Sequence, residues 1–175
     1  MNNRSQLDYE LIGRPSTNLA NSVTTASLTL KKKNSYFDKA LISFEYVISL
    51  TANKSNFDTF TIILDTEEVL RLASSINELR IQKDKSKQKT FTIASRNNNK
   101  NLTIQTIERS STSGTDVAKA YFNHSKDIYF YLNLNGHTIS VLYAKCIELL
   151  CLSNSCNPLD LFVYYPSLQR KIQRG

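Results

Sequence analysis

Residues 127–152 read DIYFYLNLNGHTISVLYAKCIELLCL. The first eight alternate: Ile128, Phe130, Leu132 and Leu134 fall on one side, and Tyr129, Tyr131 and Asn133 on the other. A strand sends alternate side chains to opposite faces of its sheet, so one face of this segment is core. The period then changes. Val141, Ala144, Ile147 or Cys151, and Leu150 recur at helical spacing, with Ser140 as the expected N-cap. One short stretch therefore encodes a strand followed by an amphipathic helix.

The same succession occurs earlier. FDTFTIIL, residues 57–64, reads as a strand with Phe60, Ile62 and Leu64 inward. Asp65-Thr-Glu-Glu68 follows, an acid at a helix start with Glu three residues later, as in a capping box. Val69, Leu72, Ala73 and Ile76 then mark a helix of about four turns. Before this pair lies KALISFEYVISL, residues 39–50, a long half-buried strand closed by the turn TANKSN. Between the two strand–helix units, TFTIAS and NLTIQTI read as strands around RNNNK, and AKAYFN as the strand preceding residue 127. RIQKDKSKQK, residues 80–89, reads as a loop or hairpin arm, and RSSTSGTD as a loop. Two halves, each several strands and then one helix, indicate an internal duplication of architecture. Residues 1–26 are polar and aperiodic with Pro15, and are expected to form a flexible arm. Residues 27–165 form the expected single domain, and 166–175 a basic tail carrying Arg170, Lys171 and Arg174.

This order resembles the Whirly family of single-stranded-DNA-binding proteins and the related transcription-coactivator single-strand binders. FDKALISFEYV is similar to the family's first strand, with its Lys-Gly-Lys-Ala type motif. Lys39 and Ala40 match that motif, whereas Phe37 and Asp38 stand where it has lysine and glycine. TIILDTEEVLRLASSI resembles its strand running into a helix, and residues 101–123 with 127–150 its second repeat. The likeness spans roughly residues 28 to 163. It implies an α+β fold of two strand–strand–strand–strand–helix repeats, with two packed antiparallel sheets and two main helices. It also implies helices that join protomers into a cyclic tetramer, and single-stranded DNA held along sheet surfaces and edges.

Charge points to the same class of partner. The 175-residue chain carries a net +7, which favours a polyanion. Seven basic residues and one acid lie between Arg80 and Lys100, and Lys31, Lys32 and Lys33 form a second cluster. Single strands are held by a positive surface bearing aromatic rings on which bases stack. Tyr129 and Tyr131, two apart on one strand, are expected to face solvent together, with Lys119, Tyr121 and Lys126 on the same surface. Lys31, Lys32, Lys33, Lys39, Arg96 and Lys100 complete the expected nucleic-acid-binding set. The competing role for the two tyrosines is packing against a helix or a neighbouring subunit.

No motif supports catalysis. The chain has only four glycines and no Gly-rich phosphate loop, HExxH, GxSxG or clustered carboxylates, so no enzyme activity, cofactor or small-molecule substrate is expected. His124 and His137 stand apart from any nucleophile or ligand set. Three cysteines, all between Cys146 and Cys156, lack a CxxC pair, which suits reduced core residues and an intracellular protein rather than a metal site. No apolar run reaches the ~20 residues of a membrane helix. The expected function is non-catalytic binding of single-stranded nucleic acid, DNA before RNA, by a homo-oligomer, tetramer favoured. The alternatives are a protein–protein assembly or regulatory subunit, and an RNA-binding protein on the same scaffold. Val69, Ile76, Ile147, Leu149, Leu150 and Leu152 are the apolar residues expected to join subunits.

Overall fold

The computed structural model describes residues 7–12, 25–37, 40–54, 58–81, 88–96, 99–107, 116–124 and 127–169. Two four-stranded antiparallel meanders, each followed by a helix, make up an α+β fold. The first comprises β1 (Leu7–Ile12), β2 (Thr25–Phe37), β3 (Ala40–Lys54) and β4 (Asp58–Leu64), leading into α1 (Thr66–Ile81). The second comprises β5 (Thr90–Ala94), β6 (Lys100–Thr106), β7 (Asp116–His124) and β8 (Asp127–Asn135), leading into α2 (Gly136–Asn154). A short α3 (Pro158–Tyr164) and one 3-10 turn (Pro166–Leu168) follow. Strand order equals chain order in both sheets, so every sheet connection is a hairpin, and the expected duplication is present.

The inward faces are those the alternation indicates. Ile48, Leu50, Phe60, Ile62 and Leu64 of the first sheet are buried with Ile93, Leu102, Ile104, Ala118, Ala120, Phe122 and Leu134 of the second. Phe60 meets Phe122 edge-on across the two sheets, with ring centres 5.8 Å apart. Val69, Leu72, Ala73 and Ile76 of α1 join this core, as do Leu142, Cys146, Leu149 and Leu150 of α2.

α1 starts where the capping box places it. The Asp65 amide donates to Glu68 Oε2 at 2.9 Å, and the Glu68 amide donates to Asp65 Oδ1 at 2.7 Å. α2 starts one turn earlier than expected. Asn135, in an extended conformation, accepts from the Thr138 amide at 2.8 Å, so Asn135 is the cap. Ser140 lies inside the helix and donates to the Gly136 carbonyl. Ser155 ends α2 in the left-handed region (φ 52°), and the amides of Ser155 and Cys156 close the last turn.

Two expected boundaries and one expected contact surface need correction. Leu7–Ile12 pairs with Thr25–Leu30, so part of the first 26 residues belongs to the first sheet. At the other end, Leu168 is fully buried, and buried Asn77 donates to the carbonyls of Ser167 (3.1 Å) and Gln169 (2.9 Å). Tyr143 donates its hydroxyl to the Leu168 carbonyl. Residues 166–169 are therefore part of the domain, and only 170–175 lie outside the described residues. Lastly, Val69, Ile76, Ile147, Leu149 and Leu150 are buried within their own chain; of the residues expected to join subunits, only Leu152 is exposed.

Candidate nucleic-acid interface

The outer face of the second sheet is built by the residues that alternate with its core. β6 contributes Asn101, Thr103 and Gln105, β7 contributes Lys119, Tyr121 and Asn123, and β8 contributes Tyr131 and Asn133. Cross-strand register sets Thr92, Thr103, Tyr121 and Tyr131 in one row, and Gln105, Lys119 and Asn133 in the next. Antiparallel partners on one face lie close enough to touch. Thr92 and Thr103 share a hydroxyl hydrogen bond of 3.1 Å, and the rings of Tyr121 and Tyr131 meet at 6.3 Å with a 48° tilt. The Lys119 ammonium lies 5.1 Å from the centre of the Tyr131 ring, a cation–π contact. Lys119, Tyr121 and Tyr131 thus form one basic, aromatic cluster.

Tyr131 itself is a correction. It was expected to face solvent, yet it is only 5% exposed. The alternation correctly puts it opposite buried Leu134, but facing outward does not ensure exposure. Tyr121 leans on the ring from the adjacent strand and Lys119 lies over it. Its hydroxyl is buried and has no hydrogen-bond partner among the described residues, and the same holds for Asn123 Oδ1 and Asn133 Oδ1. Tyr121 has intermediate exposure, and is the more accessible of the two described rings on this face. Partial burial next to Tyr131 pushes its phenol above the ordinary tyrosine range, and it stays a neutral donor at pH 7.

Tyr129 does not simply accompany Tyr131. The β7–β8 register shifts between Phe122 and Asn123, which pair with Phe130 and Ile128 respectively, leaving Tyr129 in the bulge. A bulge interrupts strict alternation, so a spacing of two no longer guarantees a shared face. The Tyr129 side chain lies outside the described residues, as do those of Lys31, Lys32 and Lys33. Those lysines are placed on β2 opposite Val47, Tyr46 and Glu45 of β3. Lys39 and Lys126 lie outside the described residues altogether.

Arg96, on the surface, and half-buried Lys100 are both engaged by groups of the same chain. The Arg96 guanidinium donates to Glu67 Oε2 at 2.7 Å and lies 3.9 Å from Asp65 and from Glu68. The Arg96 amide donates to Glu68 Oε1 at 2.8 Å. Glu68, only 1% exposed, therefore ties the α1 N-terminus to the β5–β6 hairpin. Hydrogen bonding to Arg96, then to Arg71, holds the Glu67 carboxyl below the usual carboxylate range, and Glu67 in turn raises Arg96. Lys100 donates to the Thr61 carbonyl at 3.0 Å, with its ammonium 4.5 Å from the Phe60 ring centre, bridging the two sheets. Both cations make contacts that join the two halves of the fold.

One surface went unread in the sequence. α3 begins with Asn157 as its cap, accepting from the amides of Leu159 (2.9 Å) and Asp160 (3.0 Å), with Pro158 in the first turn. Asn-Pro followed by an apolar run is the available signal, since Pro is favoured at the first helical position. Leu161 is buried, but Leu159, Val163 and Tyr164 are 76%, 72% and 76% exposed. Leu152 at the end of α2 and Tyr165 are also exposed.

Among the described residues, no group of three or more His, Cys, Asp or Glu could hold a metal ion. The three cysteines are free thiols, and burial pushes Cys146 up to about 12. No single described helix is long and apolar enough to cross a membrane.

No protein-family model matches the sequence, and no characterised protein matches it in a sequence comparison. Among solved structures, the chain is similar to WHY3, a Whirly protein from Arabidopsis thaliana, at 9% identity and a TM-score of 0.41, over 93% of this chain and 97% of that one.

Proposed function

We propose that this protein binds single-stranded nucleic acid without catalysis, DNA before RNA, on the outer face of its second sheet. The observation that carries this reading is the Lys119–Tyr121–Tyr131 cluster. A cation pinned over one ring beside a second, accessible ring offers a phosphate contact and a base-stacking platform side by side. The surrounding Thr103, Asn101 and Gln105 donate and accept hydrogen bonds without adding negative charge. Every base has a π face, so stacking of this kind carries little sequence preference. A net charge of +7 adds long-range attraction for the phosphate backbone. Free thiols and the lack of a ligand cluster among the described residues suit a non-catalytic, intracellular binding role.

The protein acts as a homo-oligomer, tetramer favoured. The support is the apolar α3 surface, which leaves Leu159, Val163 and Tyr164 in water in a single chain. The test combines two measurements. Fluorescence anisotropy with labelled dT, rU and duplex oligonucleotides is expected to rank dT first, with loss of binding in Tyr121→Ala and Lys119→Ala. Light scattering of Leu159→Asp with Val163→Asp is expected to give a smaller assembly than the parent chain. Absence of dT binding at low salt contradicts the first claim. A monomeric parent at micromolar concentration contradicts the second.

A further inference from the structure

β5 ends the second sheet, with β6 on one side and, among the described residues, no strand on the other. Two hydrogen bonds fix which of its backbone groups are used. The Ser95 amide donates to the Lys100 carbonyl, and the Thr106 amide donates to the Lys89 carbonyl, both at 2.9 Å. In an antiparallel pair these bonded positions alternate. The N–H and C=O groups of residues 89, 91, 93 and 95 therefore face β6, and those of Thr90, Thr92 and Ala94 point away from it. All three residues are exposed. Natural edge strands are usually guarded by a charge, a proline or a bulge, because an open edge is a template for another strand. β5 reads TFTIA and contains no charge and no proline.

A groove of about 650 Å³ runs along this edge, between Thr90–Ile93 and the face of α1 bearing Arg71, Ser74, Ser75 and Glu78. Strand and helix lie antiparallel. Lys89 reaches Glu78 (3.7 Å) at one end, and Arg96 reaches Glu67 (2.7 Å) at the other. Ser74 and Ser75 are thereby level with Thr92, with Arg71 to one side and Glu78 to the other.

From this arrangement we infer that the β5 edge pairs with the β5 edge of a second copy of the chain, antiparallel, about a two-fold axis at Thr92. Such an axis sets Thr92 against Thr92 of the partner subunit and Thr90 against Ala94 of the partner subunit. Both α1 helices then lie on the same side of the joined sheet, running antiparallel. The small Ser74 and Ser75 meet near the axis, and Arg71 of each copy faces Glu78 of the partner subunit. The charges are self-complementary only for a partner that presents the same helix reversed. Phosphate is disfavoured here by Glu67 and Glu78, which line the groove. Joining the edges turns two four-stranded sheets into one of eight strands, and the outer faces become continuous. Tyr121 and Tyr121 of the partner subunit then lie five strand spacings apart, about 24 Å.

This inference does not depend on nucleic-acid binding and is tested without it. Light scattering over a micromolar range is compared for the parent chain, Thr92→Pro and Thr92→Lys. The Thr92 amide points away from β6, so proline there removes no ladder bond, as edge strands tolerate. Both variants are expected to halve the measured mass with thermal melting little changed. Arg71→Glu alone is expected to weaken assembly, and Arg71→Glu with Glu78→Arg to restore it. If proline disturbs the fold, the lysine variant and the charge swap decide. A monomeric parent, or a mass unchanged in both folded Thr92 variants and in Arg71→Glu, overturns the edge pairing. A mass changed only by Leu159→Asp with Val163→Asp also overturns it and leaves the α3 contact standing.

Discussion

Tyr131 shows how far one residue's position can be read from its neighbours. The alternation along β8 gives its face but not its exposure, because exposure depends on what the adjacent strand places beside it. Tyr121 and Lys119 close over the ring, and its hydroxyl is left buried without a partner among the described residues. A buried, unpaired hydroxyl costs about 1–3 kcal/mol of desolvation. Tyr131→Phe is therefore expected to leave the melting temperature unchanged or raise it; a fall of several degrees would show that the hydroxyl has a stabilising partner. Tyr121→Ala belongs to the same scale with the opposite signature. It is expected to weaken single-strand affinity by about 1–3 kcal/mol, the usual value of one stacked base, with little loss of stability. Phe122→Ala, from the fully buried side of the same strand, is expected to cost about 3–5 kcal/mol in urea unfolding through a core cavity.

At the scale of elements, what the sequence reveals follows the physical signal. α1 was legible because Asp65 and Glu68 form a reciprocal cap and the apolar residues behind them keep a helical period. β3, β4 and β5–β8 were legible because one face of each is core. β2 was missed because KKKNS interrupts its alternation; it is a strand because it has the long β3 to pair with. The α2 start was misplaced by a turn because Asn135 and Ser140 are both good caps, and only the extended backbone at Asn135 selects between them. The Arg96–Glu67 contact left no trace in the sequence, since its partners lie 29 residues apart and meet only when the halves pack. It has a pH signature. The Glu67 carboxyl is held low in the folded state, so its contribution is present above the ordinary carboxylate pKa of about 4.5 and lost as pH falls through the lower folded value. Urea midpoints measured from pH 6 down to pH 2 are expected to fall along this limb, and Arg96→Met to flatten it. An identical acid limb in the variant would remove the pair from the explanation.

For the whole molecule, the proposed self-association and the proposed nucleic-acid binding fall on different surfaces. A two-fold contact at α3, combined with the inferred β5-edge pairing, would close at four copies with the two axes perpendicular. The expected masses are then a tetramer for the parent, a dimer for Thr92→Pro or for Leu159→Asp with Val163→Asp, and a monomer when the changes are combined. Sedimentation velocity on the four proteins checks this ladder. The candidate binding face was legible in part. Lys119 and Tyr121 were readable from their alternation with Ala118, Ala120 and Phe122. Arg96 and Lys100 looked equally available as cations, because sequence does not record which charges are engaged across the sheets.

The most direct test of single-strand binding on the Lys119–Tyr121 face is an anisotropy titration of a labelled strand of ~30 nucleotides, repeated across salt concentrations. Each neutralised phosphate contributes a log–log slope of about −0.7 on single strands, so four or more contacts give a slope near −3 or steeper. The expected result is tight binding at low salt with that slope, a shallower slope in Lys119→Ala, weakened affinity in Tyr121→Ala, and weaker binding to duplex of the same length. Absence of binding at low salt, or affinity that ignores salt and both substitutions, would contradict it.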